Sequence, residues 1–77
     1  MTYNEQRILN AFAAQGYDTS KLTVYYDTIG GIAAWWCENI WTTRGCIWGT
    51  HLGRSIYKAL ENIKTGEVKP PIKRSTS

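Results

Sequence analysis

Three side chains in this 77-residue chain have the chemistry of soft metal ligands or of a nucleophile and its base: Cys37, Cys46 and His51. Their Cys-x8-Cys-x4-His spacing lacks the close cysteine pair of a zinc knuckle and leaves a fourth ligand unnamed. A thiol nucleophile needs its base beside it and a third group to orient the imidazole. Cys46 lies five residues from His51, which does not place them in contact, and no oxyanion device stands nearby. The chain has no P-loop, no G-x-G-x-x-G and no paired-carboxylate arrangement. The expectation is a protein that is not an enzyme and needs neither metal nor cofactor, with two reduced, partly buried thiols suited to the cytoplasm.

The second chemistry is aromatic. All four tryptophans, Trp35, Trp36, Trp41 and Trp48, fall in the middle of the chain, two of them side by side. Such rings either fill a core or dominate a binding surface. Which of the two applies depends on the elements that carry them.

The N-terminal stretch TYNEQRILNAFAAQG predicts a helix near residues 3 to 15. Thr2 and Glu5 form an S/T-x-x-E capping box, Ile8, Leu9 and Phe12 make an apolar stripe, and Gly16 closes it. LTVYYD reads as a first strand, TIGG as a four-residue reversal, IAAWWC as a second strand, Glu38 and Asn39 as a tight turn, and IWTTRGCIW as a third strand. Leu52, Ile56, Ala59, Leu60 and Ile63 then recur on one face of a 3.6-period helix, with Thr50 as N-cap or a later start near Arg54, and Gly66 as the stop. The architecture expected is α+β: helix, three-stranded antiparallel meander, helix, with both helices on one face of the sheet. One compact domain spans 1–66, and 67–77 form an extended, basic, proline-containing tail whose removal from residue 68 onward leaves folding intact.

Length and charge narrow the functional classes. A domain this short buries only roughly 60 to 65% of its unfolded surface, so its core is thin. The longest apolar run is far below the roughly 20 residues of a membrane span, and the chain shows no basic-then-apolar leader with a cleavage site, so the expectation is a cytoplasmic protein without a membrane partner. The net charge of +3 resides wholly in residues 64–77, where Lys64, Lys69, Lys73 and Arg74 face only Glu67. A short charged terminus is ordinarily just solvated.

GCIWGTHLGRSIYKALENIK is similar to the end of the HicB antitoxin fold, over about a quarter of the chain, with an insertion before the helix and without that fold's final strand. The element order is similar to that of the double-stranded-RNA-binding domain, although Ile56 and Tyr57 stand where that motif puts lysines. Neither resemblance assigns a function.

Alternation along the strands sorts the aromatic residues. Leu22, Val24, Tyr26, Ala33, Trp35, Cys37 and Ile40 are expected to share the core face. Tyr25, Ile32, Ala34, Trp36, Trp41 and Ile47 share the other, with Trp36 opposite Trp41. An exposed patch of that kind marks an interface. The functional expectation is a small protein-binding module, a regulator, adaptor or inhibitor of bacterial or phage type, docking Tyr25, Trp36, Trp41, Ile47 and Arg44 on a larger protein or on a second copy of itself. Arg54, Lys69, Lys73 and Arg74 add basic contacts. The alternative is RNA or single-stranded DNA stacking on the same rings. On this reading Trp35→Ala unfolds the domain, whereas Trp36→Ala spares the fold and weakens binding.

Overall fold

The computed structural model describes residues 2–39 and 49–69. The order is α1 (Tyr3–Ala14), β1 (Leu22–Ile29), β2 (Ile32–Asn39), β3 (Thr50–Gly53) and α2 (Ile56–Thr65), with the three strands forming one antiparallel sheet in the order β1-β2-β3. This is the αβββα architecture expected from the pattern.

Helix α1 begins as its capping residues dictate: the Thr2 hydroxyl accepts the Glu5 N–H at 3.3 Å. Its stripe buries Ile8 and Phe12, and Gly16, with φ +89°, turns the chain out of the helix. The β1–β2 reversal is tighter than expected. Ile29 pairs with Ile32, so the turn is Gly30–Gly31 alone, both at positive φ, as a two-residue hairpin loop demands. This moves the pairing by two residues relative to a four-residue loop. An even shift leaves every side chain on its expected face.

Two other boundaries differ from the sequence reading. Glu38 and Asn39 are not a turn; they continue β2, paired with Thr23 and Leu22. They lack the glycine that a two-residue loop prefers, and β1 is long enough to hold them extended. The predicted strand over 40–48 lies outside the described residues, and the strand that pairs with β2 is Thr50–Gly53. Consequently Thr50 is not a helix cap. Ser55 is, its hydroxyl accepting the Lys58 N–H at 3.2 Å. A serine followed by unbroken helix formers outcompetes a start that would carry Gly53 inside the first turn.

A bulge explains how Leu52 keeps its place in the core while belonging to a strand. His51 lies opposite Trp36 and Gly53 opposite Trp35, so Leu52 is an extra residue between them. Leu52 is fully buried with Leu22, Val24, Trp35 and Cys37 from the sheet, Ile8 and Phe12 from α1, and Ala59 and Ile63 from α2. The sheet residues in that set all belong to the predicted core face, and both helices lie on it.

Helix α2 ends in a Schellman motif. Gly66, at φ +80°, donates to the Ile63 carbonyl and Glu67 to the Asn62 carbonyl, at 3.2 and 2.9 Å. Val68 follows and packs against the core. The expectation that nothing from residue 68 onward touches the core is therefore corrected at this one position. Residues 70–77 lie outside the described ones.

Candidate functional site

Three register rows cross the whole sheet: Val24–Cys37–Thr50, Tyr25–Trp36–His51 and Tyr26–Trp35–Gly53. Beyond Gly53 the rows Asp27–Ala34, Thr28–Ala33 and Ile29–Ile32 contain, among the described residues, β1 and β2 only. The hairpin thus extends past β3 as a two-stranded arm. Its exposure agrees: Ile32 is 41% exposed, Asp27, Thr28 and Ala33 are exposed as well, and Tyr26, in the row at its base, is 54% exposed. Tyr26 and Ala33, expected in the core, are on the helix side of the sheet as foreseen but at the end the helices leave uncovered.

A bare two-stranded ribbon is marginal in water. Here three contacts stiffen it. The Trp36 indole N–H donates to the Asp27 carbonyl oxygen at 3.0 Å, which lays the ring along the side of the sheet away from the helices, toward Ala34, itself 0% exposed. The Asp27 carboxylate accepts the Thr28 N–H at 2.7 Å. On the helix side the Tyr26 ring meets Trp35 edge to face, with centroids 5.3 Å apart.

The residues singled out from sequence are thereby redistributed. Trp36 faces away from the helices, as expected, yet it is only 7% exposed, against 9% for Trp35. The neighbouring tryptophans are both buried, on opposite sides of the sheet, and the anticipated contrast between a core ring and an exposed ring is not present. The position opposite Trp36 is filled by His51, not by Trp41; the two rings meet edge to face at 5.1 Å. Tyr25 is half-buried, its hydroxyl so close to Gly49 that a Cβ there would collide with it and with the Cys37 carbonyl oxygen, 2.8 Å away. Trp41, Arg44, Ile47, Lys73 and Arg74 lie outside the described residues. Arg54 and Lys69 are exposed at the two flanks of α2.

The geometry also bears on the thiol chemistry. Cys37 is fully buried on the helix side, and desolvation, reinforced by the charge of Glu38, pushes its thiol up to about 12. His51 is exposed on the opposite side of the sheet, against Trp36. A sheet separates the two, so they do not form a nucleophile and base. Among the described residues no three metal-ligating side chains gather, and no helix is long and apolar enough to cross a membrane.

The arm was not recognised in the sequence as a site. Its signal was the adjacent pair Gly30–Gly31: two residues at positive φ make the hairpin as tight as it can be and lengthen both strands beyond the span that the helices cover. No family model, curated protein or solved structure matches the chain.

Proposed function

We propose that this chain is a small non-enzymatic protein-binding module that inserts its β1–β2 arm into a cleft of a larger protein. The observation that carries the reading is apolar exposure on both sides of the hairpin: Tyr26, in the row at the base of the arm, on the helix side, and Ile32, in the arm, on the other, with the ribbon between them braced by Trp36, Asp27 and Trp35. Apolar groups on both faces suit a cleft with two walls better than a flat surface. A braced arm loses little conformational freedom on docking, which is where much of the free energy of association is otherwise lost. Trp36, being buried, is withdrawn as a stacking platform for bases, which weakens the nucleic-acid alternative.

The test is capture from cell extract with wild-type protein, Ile32→Asp and Tyr26→Ala, each with and without nuclease. The proposal expects a protein retained after nuclease and lost with both variants. Retention that disappears on nuclease treatment, or that ignores both substitutions, refutes it.

A further inference from the structure

Strand β1 is an edge of the sheet among the described residues, and its outward backbone groups can be enumerated. In a two-residue hairpin the pair flanking the turn, Ile29 and Ile32, exchanges hydrogen bonds, and bonded and non-bonded pairs alternate from there. Thr23, Tyr25, Asp27 and Ile29 therefore direct their backbone groups to β2, while Leu22, Val24, Tyr26 and Thr28 direct theirs outward. Two bonds made off the ladder agree with this phase. The Leu22 N–H goes to the Thr19 carbonyl at 3.1 Å, and the Thr28 N–H to the Asp27 carboxylate at 2.7 Å. Both ends of the edge are thus capped by local bonds. Between the caps, the N–H and C=O of Val24 and Tyr26 have no hydrogen-bond partner among the described residues.

We infer that this edge pairs with the same edge of a second copy of the chain, antiparallel, about a two-fold axis through Tyr25. The open stretch is three residues long and symmetric about Tyr25, so a copy laid against it sets Val24 opposite Tyr26 and Tyr26 opposite Val24. The N–H and C=O groups of Val24 and Tyr26 on each chain are then satisfied by the copy, and both N–H caps stay in place. The same register brings complementary side chains together on the side away from the helices. Thr23, exposed, falls opposite Asp27 of the copy, where its hydroxyl can donate to the carboxylate oxygen that Thr28 does not use; this happens twice by symmetry. Tyr25 leaves the axis clear, because its hydroxyl reaches back across the sheet to Gly49. On the helix side the half-exposed Tyr26 ring comes to lie beside Val24 of the copy. The tip of the arm, 30–33, stays outside the shared ladder, so Ile32→Asp touches docking alone, whereas the Tyr26 ring is shared by both readings.

The pairing is short, and a short interface gives a weak, concentration-dependent dimer. Sedimentation equilibrium of the purified full chain from 1 µM to 1 mM, on the order of weak transient contacts, reads it directly. Thr23→Asp sets like charges opposite each other twice and is expected to weaken the dimer at least about tenfold. Adding Asp27→Asn to that variant keeps the acceptor for Thr28, removes the repulsion and is expected to restore association. In hydrogen exchange, the Val24 and Tyr26 amides gain protection with concentration and the Thr28 amide does not. A chain that stays monomeric throughout the range overturns the inference. So does a dimer indifferent to Thr23→Asp, or a loss that the double variant fails to recover.

Discussion

The indole N–H of Trp36 reaches diagonally across the β1–β2 ladder to the carbonyl oxygen of Asp27, 3.0 Å away, and so ties the last three-stranded rows of the sheet to the first rung of the two-stranded arm. The carbonyl already faces Ala34 in the ladder, and its second lone pair takes the indole. Trp36→Phe keeps most of the apolar contact and deletes this bond. The expected cost is about 1 to 2 kcal/mol, with faster exchange of the Asp27 and Ala34 amides than in the core rows. Exchange unchanged along the arm would show that the bond does not brace it.

Because Trp35 and Trp36 are equally buried, truncating either is expected to cost about 3 to 5 kcal/mol, enough to abolish the cooperative transition of so small a domain. Thermal melts of Trp35→Ala and Trp36→Ala compare them directly. A Trp36→Ala protein melting within about 1 kcal/mol of wild type would contradict the burial described here and restore the contrast between neighbours that simple strand alternation suggests.

What alternation captured was the side of the sheet each ring faces; what it could not capture was coverage. Leu22, Val24, Trp35 and Cys37 are on the helix side because a two-residue error in loop length preserves parity. Tyr26 shares that parity and is exposed, because burial also depends on how far the helices extend along the strands, which no local pattern encodes. The third strand shows a different limit. THLG carries an apolar residue at its third position that fits the helical repeat of Ile56, Ala59 and Ile63 as well as it fits a strand. A bulge that places Leu52 and Gly53 together near the core leaves no two-residue period to detect.

Gly53 is a glycine whose missing side chain matters for packing against helix backbone. A Cβ there would lie 2.6 Å from the Ala59 backbone nitrogen and 2.9 Å from its Cα, so the absence of a side chain is what lets α2 settle on β3. Gly53→Ala is expected to cost about 1 to 3 kcal/mol through displacement of helix backbone, which cannot rotate away as a side chain can. Gly31→Ala, with open space around it but φ at +83°, is expected to cost only the local conformational penalty of about 1 kcal/mol. Denaturant midpoints that rank the two the other way would mean that α2 does not sit on Gly53 this closely.

The Cys37 thiol, fully buried and with its ionisation pushed up to about 12, is expected to resist thiol reagents in the folded protein and to react fully once unfolded. Its contribution to stability has a definite sign. Unfolding releases the thiol to ionise near 9, its ordinary value, so the unfolded state binds fewer protons than the native one between pH 9 and 12. Stability is complete below pH 9 and falls above it, by up to about 1.4 kcal/mol per pH unit from this group. Denaturation of wild type and Cys37→Ala between pH 8 and 10.5, about the window in which that slope develops, isolates it. A slope identical in the two proteins would mean that the thiol is not desolvated.

Asn62 joins the two elements that the bulge brings together. Its side-chain amide donates to the Leu52 carbonyl oxygen at 2.8 Å, while its own carbonyl accepts the Glu67 N–H in the helix-ending motif. Asn62→Ala leaves the Leu52 carbonyl short of a donor and is expected to cost about 1 to 3 kcal/mol at any pH. Asn62→Asp tests the direction of the bond. An ionised aspartate has no donor, faces a carbonyl oxygen and adds negative charge to the last turn of a helix, all of which disfavour it. The folded state therefore raises the pKa of the new carboxyl above the ordinary value of about 3.9. By linkage this variant should approach wild-type stability below that value, where a protonated carboxyl can again donate, and lose stability as pH rises through its folded-state pKa. A penalty for Asn62→Asp that does not change between about pH 3 and pH 7 would show that residue 62 acts by filling space and not by donating to Leu52.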